Sequence, residues 1–296
     1  MKTEGQGPMK NGDEAQVKES LTPREYWDLA WQEGELPRPI NPRDRSLKNH
    51  VELEFDALFK QTFIAQKCSG KATSLVELGC GCSVWLPYFA KEFSFHVAGV
   101  DYSPLGCDQA KAILAREGVE GEVVFADIFR PPAYFLNRFD FAVSFGVVEH
   151  FEATHECLKA CAALLKPEGV MFTLIPNMNG LVGWLQKYLA REIYDVHVPL
   201  DAGALRRAHE VAGLTILKCE YFCFLNFGVL NLNRIRQSFL GLWLSRALNA
   251  ISGASWILEG MGVRLPANRL TSPYVICISK KTESRGLWAE QMREHG

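Results

Sequence analysis

Residues 74–103, SLVELGCGCSVWLPYFAKEFSFHVAGVDYS, constrain this chain more than any other stretch. An apolar run, Leu75, Val76 and Leu78, enters the turn Gly79-Cys80-Gly81-Cys82-Ser83; an amphipathic segment follows, then a second apolar run that ends in Asp101. This pattern predicts a strand, a tight turn, a helix and a second strand closed by a carboxylate, half of a nucleotide-binding α/β unit. A strand-to-helix turn that brings backbone close to a ligand needs positive φ, which glycine adopts at little cost. Asp101 falls about twenty residues past the turn, where a carboxylate accepts hydrogen bonds from ribose hydroxyls.

The turn also says which nucleoside ligand to expect. A dinucleotide site wants G-x-G-x-x-G, with the pyrophosphate on the helix N-terminus. Here Val84 occupies the last of those positions, and Glu77 lies two residues before Gly79. A carboxylate there repels a pyrophosphate and suits a ligand that carries positive charge. An NAD-dependent oxidoreductase is disfavoured on both counts.

The stretch Glu77-Leu78-Gly79-Cys80-Gly81-Cys82-Ser83 resembles the first motif of the class I S-adenosylmethionine-dependent methyltransferases, an acid followed by G-x-G-x-G, with Ser83 in place of the third glycine. The resemblance runs over residues 73–221. Val100-Asp101-Tyr102-Ser103 is similar to the second motif and Val123–Ile128 to the third; residues 139–150 resemble the fourth strand and its sequel, and 164–174 the turn into the fifth strand. It implies an α/β, Rossmann-like, doubly wound fold with a mostly parallel seven-stranded sheet, and S-adenosyl-L-methionine as cofactor. Carried onto this chain, it assigns cofactor binding to Glu77, Gly79, Cys80, Gly81, Ser83, Asp101, Tyr102, Asp127, Ile128 and Phe145. The segment from Ser144 to His150 looks most like small-molecule methyltransferases of the quinone-biosynthesis type.

Strand patterns at 74–79, 95–101, 122–126, 139–145 and 169–175 alternate with helical patterns at 84–92, 104–117 and 153–165. Such alternation demands parallel strands joined by helical crossovers, with the ligand at the carboxyl ends. Before this domain, residues 1–20 read as a disordered lead and 21–66 as an N-terminal helical lid. The methyltransferase domain is assigned to 67–296. Two final strands are expected at 214–222 and 273–279, separated by an apolar, mainly helical insertion at 223–271, too long for a hairpin turn. This insertion could pack on itself and the N-terminal helices, roof an apolar substrate pocket, or touch a membrane through apolar faces flanked by Arg234, Arg236 and Arg246.

Transfer of a methyl group needs a base only where the acceptor loses a proton. His197 and His150 are the candidates, because an imidazole titrates near neutrality. Tyr26, Trp27, Asn177 and Tyr194 are candidates for orienting substrate. Nine cysteines without paired C-x-x-C spacing point to reduced thiols and to no metal site. A net charge of −2 and the absence of a basic stripe disfavour nucleic acid, so no nucleic-acid partner is expected. The polar N-terminus lacks a signal peptide, and no run is long enough to span a bilayer, so a cytoplasmic protein is expected. The expected partner is a small, fairly apolar methyl acceptor. Two alternatives stay open: a lipid or glycan acceptor at a membrane surface, and a non-catalytic cofactor-binding regulator.

Overall fold

The computed structural model describes residues 20–32, 35–66 and 73–282. The expected disordered lead lies outside the described residues apart from Ser20, which forms an antiparallel bridge with Phe151. Seven strands, β1 (Ser74–Leu78), β2 (His96–Asp101), β3 (Gly121–Phe125), β4 (Phe139–Phe145), β5 (Leu165–Pro176), β6 (Leu214–Phe222) and β7 (Tyr274–Lys281), form one sheet in the order β3-β2-β1-β4-β5-β7-β6. The first five are parallel, and β7 runs antiparallel to both β5 and β6. This is the mostly parallel, doubly wound sheet that the sequence predicts. The chain winds outward from β1 through β2 and β3, then returns to β4 on the other side of β1. The crevice between the carboxyl ends of β1 and β4 is therefore the switch point where such sheets bind ligands.

The helices are α1 (Arg24–Gln32), α2 (His50–Gln66), α3 (Trp85–Phe93), α4 (Pro104–Arg116), α5 (Thr154–Ala163), α6 (Leu181–Leu189), the single turn α7 (Arg191–Tyr194), α8 (Ala202–Val211) and α9 (Phe239–Gly260). Side chains of a strand alternate between the two sheet faces. Leu75, Phe141, Val143 and Phe172 accordingly pack with α2, α3 and α4 on one face; Val76, Leu78, Ala142 and Met171 pack with α5 and α8 on the other. Local chemistry starts the helices where they begin. Pro104 opens α4 while the Ser103 hydroxyl accepts from Gly106 N at 3.0 Å, and Asp201 caps α8 by accepting from Ala204 N at 2.7 Å.

Segment 21–66, expected as one lid, divides into two parts with different jobs. Only α1 overlies the switch point. In α2, Phe55, Phe59 and Phe63 recur every fourth residue on one face and are buried. Phe63 meets Phe141 with ring centroids 4.7 Å apart, and Phe59 meets Phe172 at 5.0 Å. The sheet thus takes α2 as a core helix. The insertion is mainly helical: Phe227, Leu230, Leu232 and Leu248 form a small core of their own with Val182 of α6. It rests on the start of α2, where Trp256 stacks on His50 at 5.6 Å and Glu259 meets the same imidazole at 3.0 Å.

Candidate active site

The glycine turn does what its residues require. Gly79 has φ +71°, and its N–H donates to Val100 O at 2.8 Å, tying the turn to β2. A Cβ on Gly81 would lie 2.8 Å from Trp31 Nε1 and 3.1 Å from Asp101 Oδ2, so only glycine fits between lid and carboxylate. Asp101 is held by two backbone donors, Gly81 N to Oδ2 at 2.7 Å and Ser103 N to Oδ1 at 2.8 Å. Ser83 has a part of its own. Its hydroxyl donates to Glu77 Oε2 at 2.6 Å and accepts from Trp85 N and Leu86 N at 3.0 and 3.3 Å, so it orients the acid and caps α3 together. Burial pushes Glu77 up to about 8; the Ser83 hydrogen bond opposes that shift and the nearby Asp101 adds to it. A cation placed against Glu77 would reverse the effect.

These groups face a cavity of about 290 Å³ between the switch point and α1, whose walls include Glu77, Gly81, Asp101, Asp127, Phe145 and Trp31. Segment 21–32, with α1, is fastened over it. Ser103 Oγ donates to Asp28 Oδ1 at 2.6 Å, Tyr102 Oη to Thr22 O at 3.0 Å, and Leu21 N to His150 O at 2.7 Å. Trp27 stacks on Trp31 at 5.9 Å and presents an edge to His150 at 5.2 Å. Trp31 Nε1 is buried without a hydrogen-bond partner among the described residues, which leaves a donor for a ligand.

His150 reaches the cavity wall from the segment after β4. Its Nδ1 donates to Val196 O at 2.7 Å, and burial, helped by His197, pushes its pKa down to about 4, so the ring is neutral at physiological pH. The His197 ring lies 4.5 Å away, with Nδ1 donating to Ile193 O at 2.6 Å. Glu149 is buried beside them, and burial raises its pKa to about 8. One ligand atom from each of Glu149, His150 and His197 lies within 4.8 Å of the others, a donor set able to hold a divalent cation. Without paired C-x-x-C spacing the sequence predicts no metal site. His150 and His197 are 47 positions apart, and only the fold brings them together.

Of the sequence-predicted residues, Glu77, Gly79, Gly81, Ser83, Asp101, Tyr102, Asp127, Ile128, Phe145, Trp27 and His150 all line this cavity. Five do not. Cys80 turns into the core, where its thiol fills the space a side chain on Gly99 would need. Tyr26 packs edge-on against Trp27 at 5.2 Å, outside the cavity wall. Asn177 is fully buried and donates through Nδ2 to Arg269 O and Ser272 O at 2.8 and 2.9 Å, pinning the end of β5 to the chain before β7. Tyr194 lies under the Lys187 ammonium at 5.4 Å. His197 stands behind His150. The sequence reading missed Trp31, Phe129, Val147 and Phe151, which also line the cavity.

A second cavity of about 320 Å³ opens between α2, the insertion and the start of β7. Its walls include Lys48, Phe55, Trp85, Asn226, Trp256 and Tyr274. Trp85 lines both cavities and stacks on Phe145 at 5.4 Å, so the two spaces adjoin at this indole.

Comparison with known proteins agrees with this geometry. Residues 47–218 match the family described as methyltransferase domain, more than half of the chain, and the chain belongs to that family. The ubiquinone biosynthesis O-methyltransferase of Salmonella paratyphi A is 25% identical over 236 residues, covering 77% of this chain and 89% of that protein. The protein of the same name from Salmonella newport is 24% identical over 234 residues, covering 77% and 89%. Among solved structures, a putative sarcosine dimethylglycine methyltransferase from Galdieria sulphuraria aligns with a TM-score of 0.57 at 14% identity, covering 88% of this chain and 98% of that one. Geranyl diphosphate C-methyltransferase from Streptomyces coelicolor aligns with a TM-score of 0.54 at 13% identity, again covering 88% and 98%. The [4+2]-cyclase SpnF aligns with a TM-score of 0.57 at 15% identity, covering 89% and 96%, so at this distance structural likeness speaks to fold alone.

The protein is a class I methyltransferase, and its cofactor is S-adenosylmethionine. The residues fit that group. Glu77 is a buried acid that suits a positively charged group, Asp101 and Asp127 bring carboxylates to the cavity wall from strand ends, and Trp31 offers an unused N–H. Once bound, the cofactor supplies a methyl group activated by a sulfonium; the protein positions the acceptor, excludes water and manages the proton.

Proposed function

We propose that this enzyme methylates a hydroxyl oxygen of a small, largely apolar and aromatic acceptor, and that the acceptor occupies the second cavity. The observation that carries this reading is the shared Trp85 wall. It puts an aromatic-lined space next to the cofactor cavity, at the carboxyl edge of the sheet, where Tyr274 pairs with Pro176 at the end of β5. Phe55, Trp256 and Tyr274 suit the faces of an aromatic ring, while Lys48 and Glu52 bring charge to the wall. The relatives named as O-methyltransferases support oxygen as the nucleophilic atom. Under this reading Trp85 swings aside to join the two spaces when the acceptor enters.

His150 is the base in this proposal. It lines the cofactor cavity with a neutral imidazole held by the backbone of Val196 and Gly146, its Nδ1–H donating to Val196 O; in this proposal Nε2 turns from Gly146 to take the acceptor's hydroxyl proton. His197 positions His150 from behind. Glu77, Gly79, Gly81, Ser83, Asp101, Tyr102, Asp127, Ile128 and Phe145 form the cofactor site. A reducing, cytoplasmic setting is supported by the cysteines, which among the described residues are all free thiols.

The test is methyl transfer from isotope-labelled S-adenosylmethionine to parallel panels of apolar phenols and catechols, amines and thiols. Labelled product from the hydroxyl panel, with a KM that rises in Trp85→Ala, is the expected result. Transfer confined to amines or thiols would overturn the assignment of oxygen. A hydroxyl acceptor whose KM ignores Trp85 would remove it from the second cavity.

A further inference from the structure

Helix α9 is built inside out for a protein surrounded by water. Its buried positions are Gly241, Ser245, Leu248, Ser252 and Ser255, spaced by three and four residues along one stripe. Four of these five are glycine or serine, so the side that meets the protein is small and polar. The opposite side carries Phe239, Leu240, Trp243, Ile251 and Ile257, exposed by 74, 80, 54, 50 and 52%, and Met261, just past the helix end, is 75% exposed. A helix of 22 residues spans about 33 Å, and this one exposes large apolar side chains in its first turns (Phe239, Leu240, Trp243, Leu244) and its last (Ile257, Leu258), with Ile251 between them. Soluble proteins rarely leave so long an apolar strip uncovered.

Charge decides what covers it. The only charged residues of α9 are Arg246 and Glu259. Glu259 points back to His50 at 3.0 Å, while the Arg246 guanidinium lies on the exposed side over the Trp243 ring at 5.6 Å. Exposed Arg236 stands before the helix, and Arg264 and Arg269 stand after it. Among the described residues no carboxylate pairs with any of these four arginines. A second copy docked by two-fold symmetry would press arginines against arginines. No helix among the described residues is long and apolar enough to cross a membrane. A helix with aromatic and aliphatic groups on one side and a cationic fringe suits the plane of an anionic bilayer, where arginine heads stay at the phosphates while their stems and the aromatic rings enter the interface.

We propose that α9 is a membrane-docking helix, which lays its Phe239–Met261 face on a bilayer containing anionic lipid. Trp256, on the flank of the same helix, forms a wall of the second cavity. Docking therefore holds that cavity beside the phase in which an apolar acceptor dissolves. The docking face itself does not depend on the reading of the active site.

The experiment is flotation of the full chain with vesicles of neutral phosphatidylcholine alone, and with vesicles in which about a third of the lipid is phosphatidylglycerol. Binding to the anionic vesicles, weakened by high salt, is expected. The Leu240→Ser/Trp243→Ser variant should lose about tenfold or more of that affinity, and Arg236→Glu/Arg246→Glu should lose the preference for anionic lipid. Circular dichroism and S-adenosylmethionine affinity, both unchanged in the variants, separate lost docking from lost folding. Absence of binding to anionic vesicles overturns the proposal, as does binding that ignores both variants. Light scattering that shows a dimer broken by Leu240→Ser/Trp243→Ser would put a second copy on the face instead. Failure of the cofactor titration alone would count against the active site and leave docking standing.

Discussion

Cofactor binding should release a proton from Glu77. In the free protein burial, with a contribution from Asp101, holds this carboxyl at about 8 against the Ser83 hydrogen bond, so about nine molecules in ten carry the proton at pH 7. The cofactor's ammonium group, docked on the ionised form, lowers that pKa, and binding at pH 7 then expels about 0.9 proton. Calorimetry in buffers of different ionisation enthalpy reads this number as the slope of observed enthalpy against buffer enthalpy. The dissociation constant should fall about tenfold for each pH unit between 6 and 7 and level off above 8. Glu77→Gln should bring the slope to zero. The sign for stability runs the other way. A carboxyl whose folded pKa is raised contributes most when protonated, so the free protein loses stability as pH rises from the unfolded value of about 4.5 through 8, and bound cofactor cancels the loss. A wild-type slope near zero at pH 7, or a slope that survives Glu77→Gln, would refute the reasoning.

Three further perturbations probe separate links. Gly81→Ala drives a methyl group to 2.8 Å from Trp31 Nε1 and should cost about 1–3 kcal/mol of stability or displace α1, with weaker cofactor binding by calorimetry. Unchanged affinity would mean that α1 does not close the site. Phe59→Ala empties the centre of the aromatic stack between α2 and the sheet and should cost about 3–5 kcal/mol in denaturant unfolding, a loss a mere lid would not show. His150→Gln should lower turnover about 100-fold while cofactor affinity stays within a few-fold, and normal turnover would strike His150 from the base role.

The doubly wound sheet could be read from the chain because each of its signals is local. Apolar runs, the Gly79–Ser83 turn and the strand-terminal Asp101 and Asp127 depend on residues close in sequence, and a parallel sheet then places their ends together. What could not be read depends on contacts between distant segments. Trp31 became part of the site through its approach to Gly81 and Gly106. His197 met His150 only because the chain after β5 returns to the segment after β4. Asn177 is a substrate-orienting candidate by sequence, yet its amide serves two backbone carbonyls that sequence cannot place. The same limit governs α9: its composition is apolar all round, and only the packing reveals that its small residues face inward.

The central claim is that the cavity at the switch point is an S-adenosylmethionine site. It is tested most directly by calorimetric titration of the full chain with S-adenosylmethionine, S-adenosylhomocysteine and NAD in parallel. Micromolar binding of the two adenosyl ligands, none of NAD, and loss of both in Asp101→Ala is the predicted result. Binding of NAD in preference to the adenosyl ligands, or adenosyl binding that Asp101→Ala leaves intact, would contradict it.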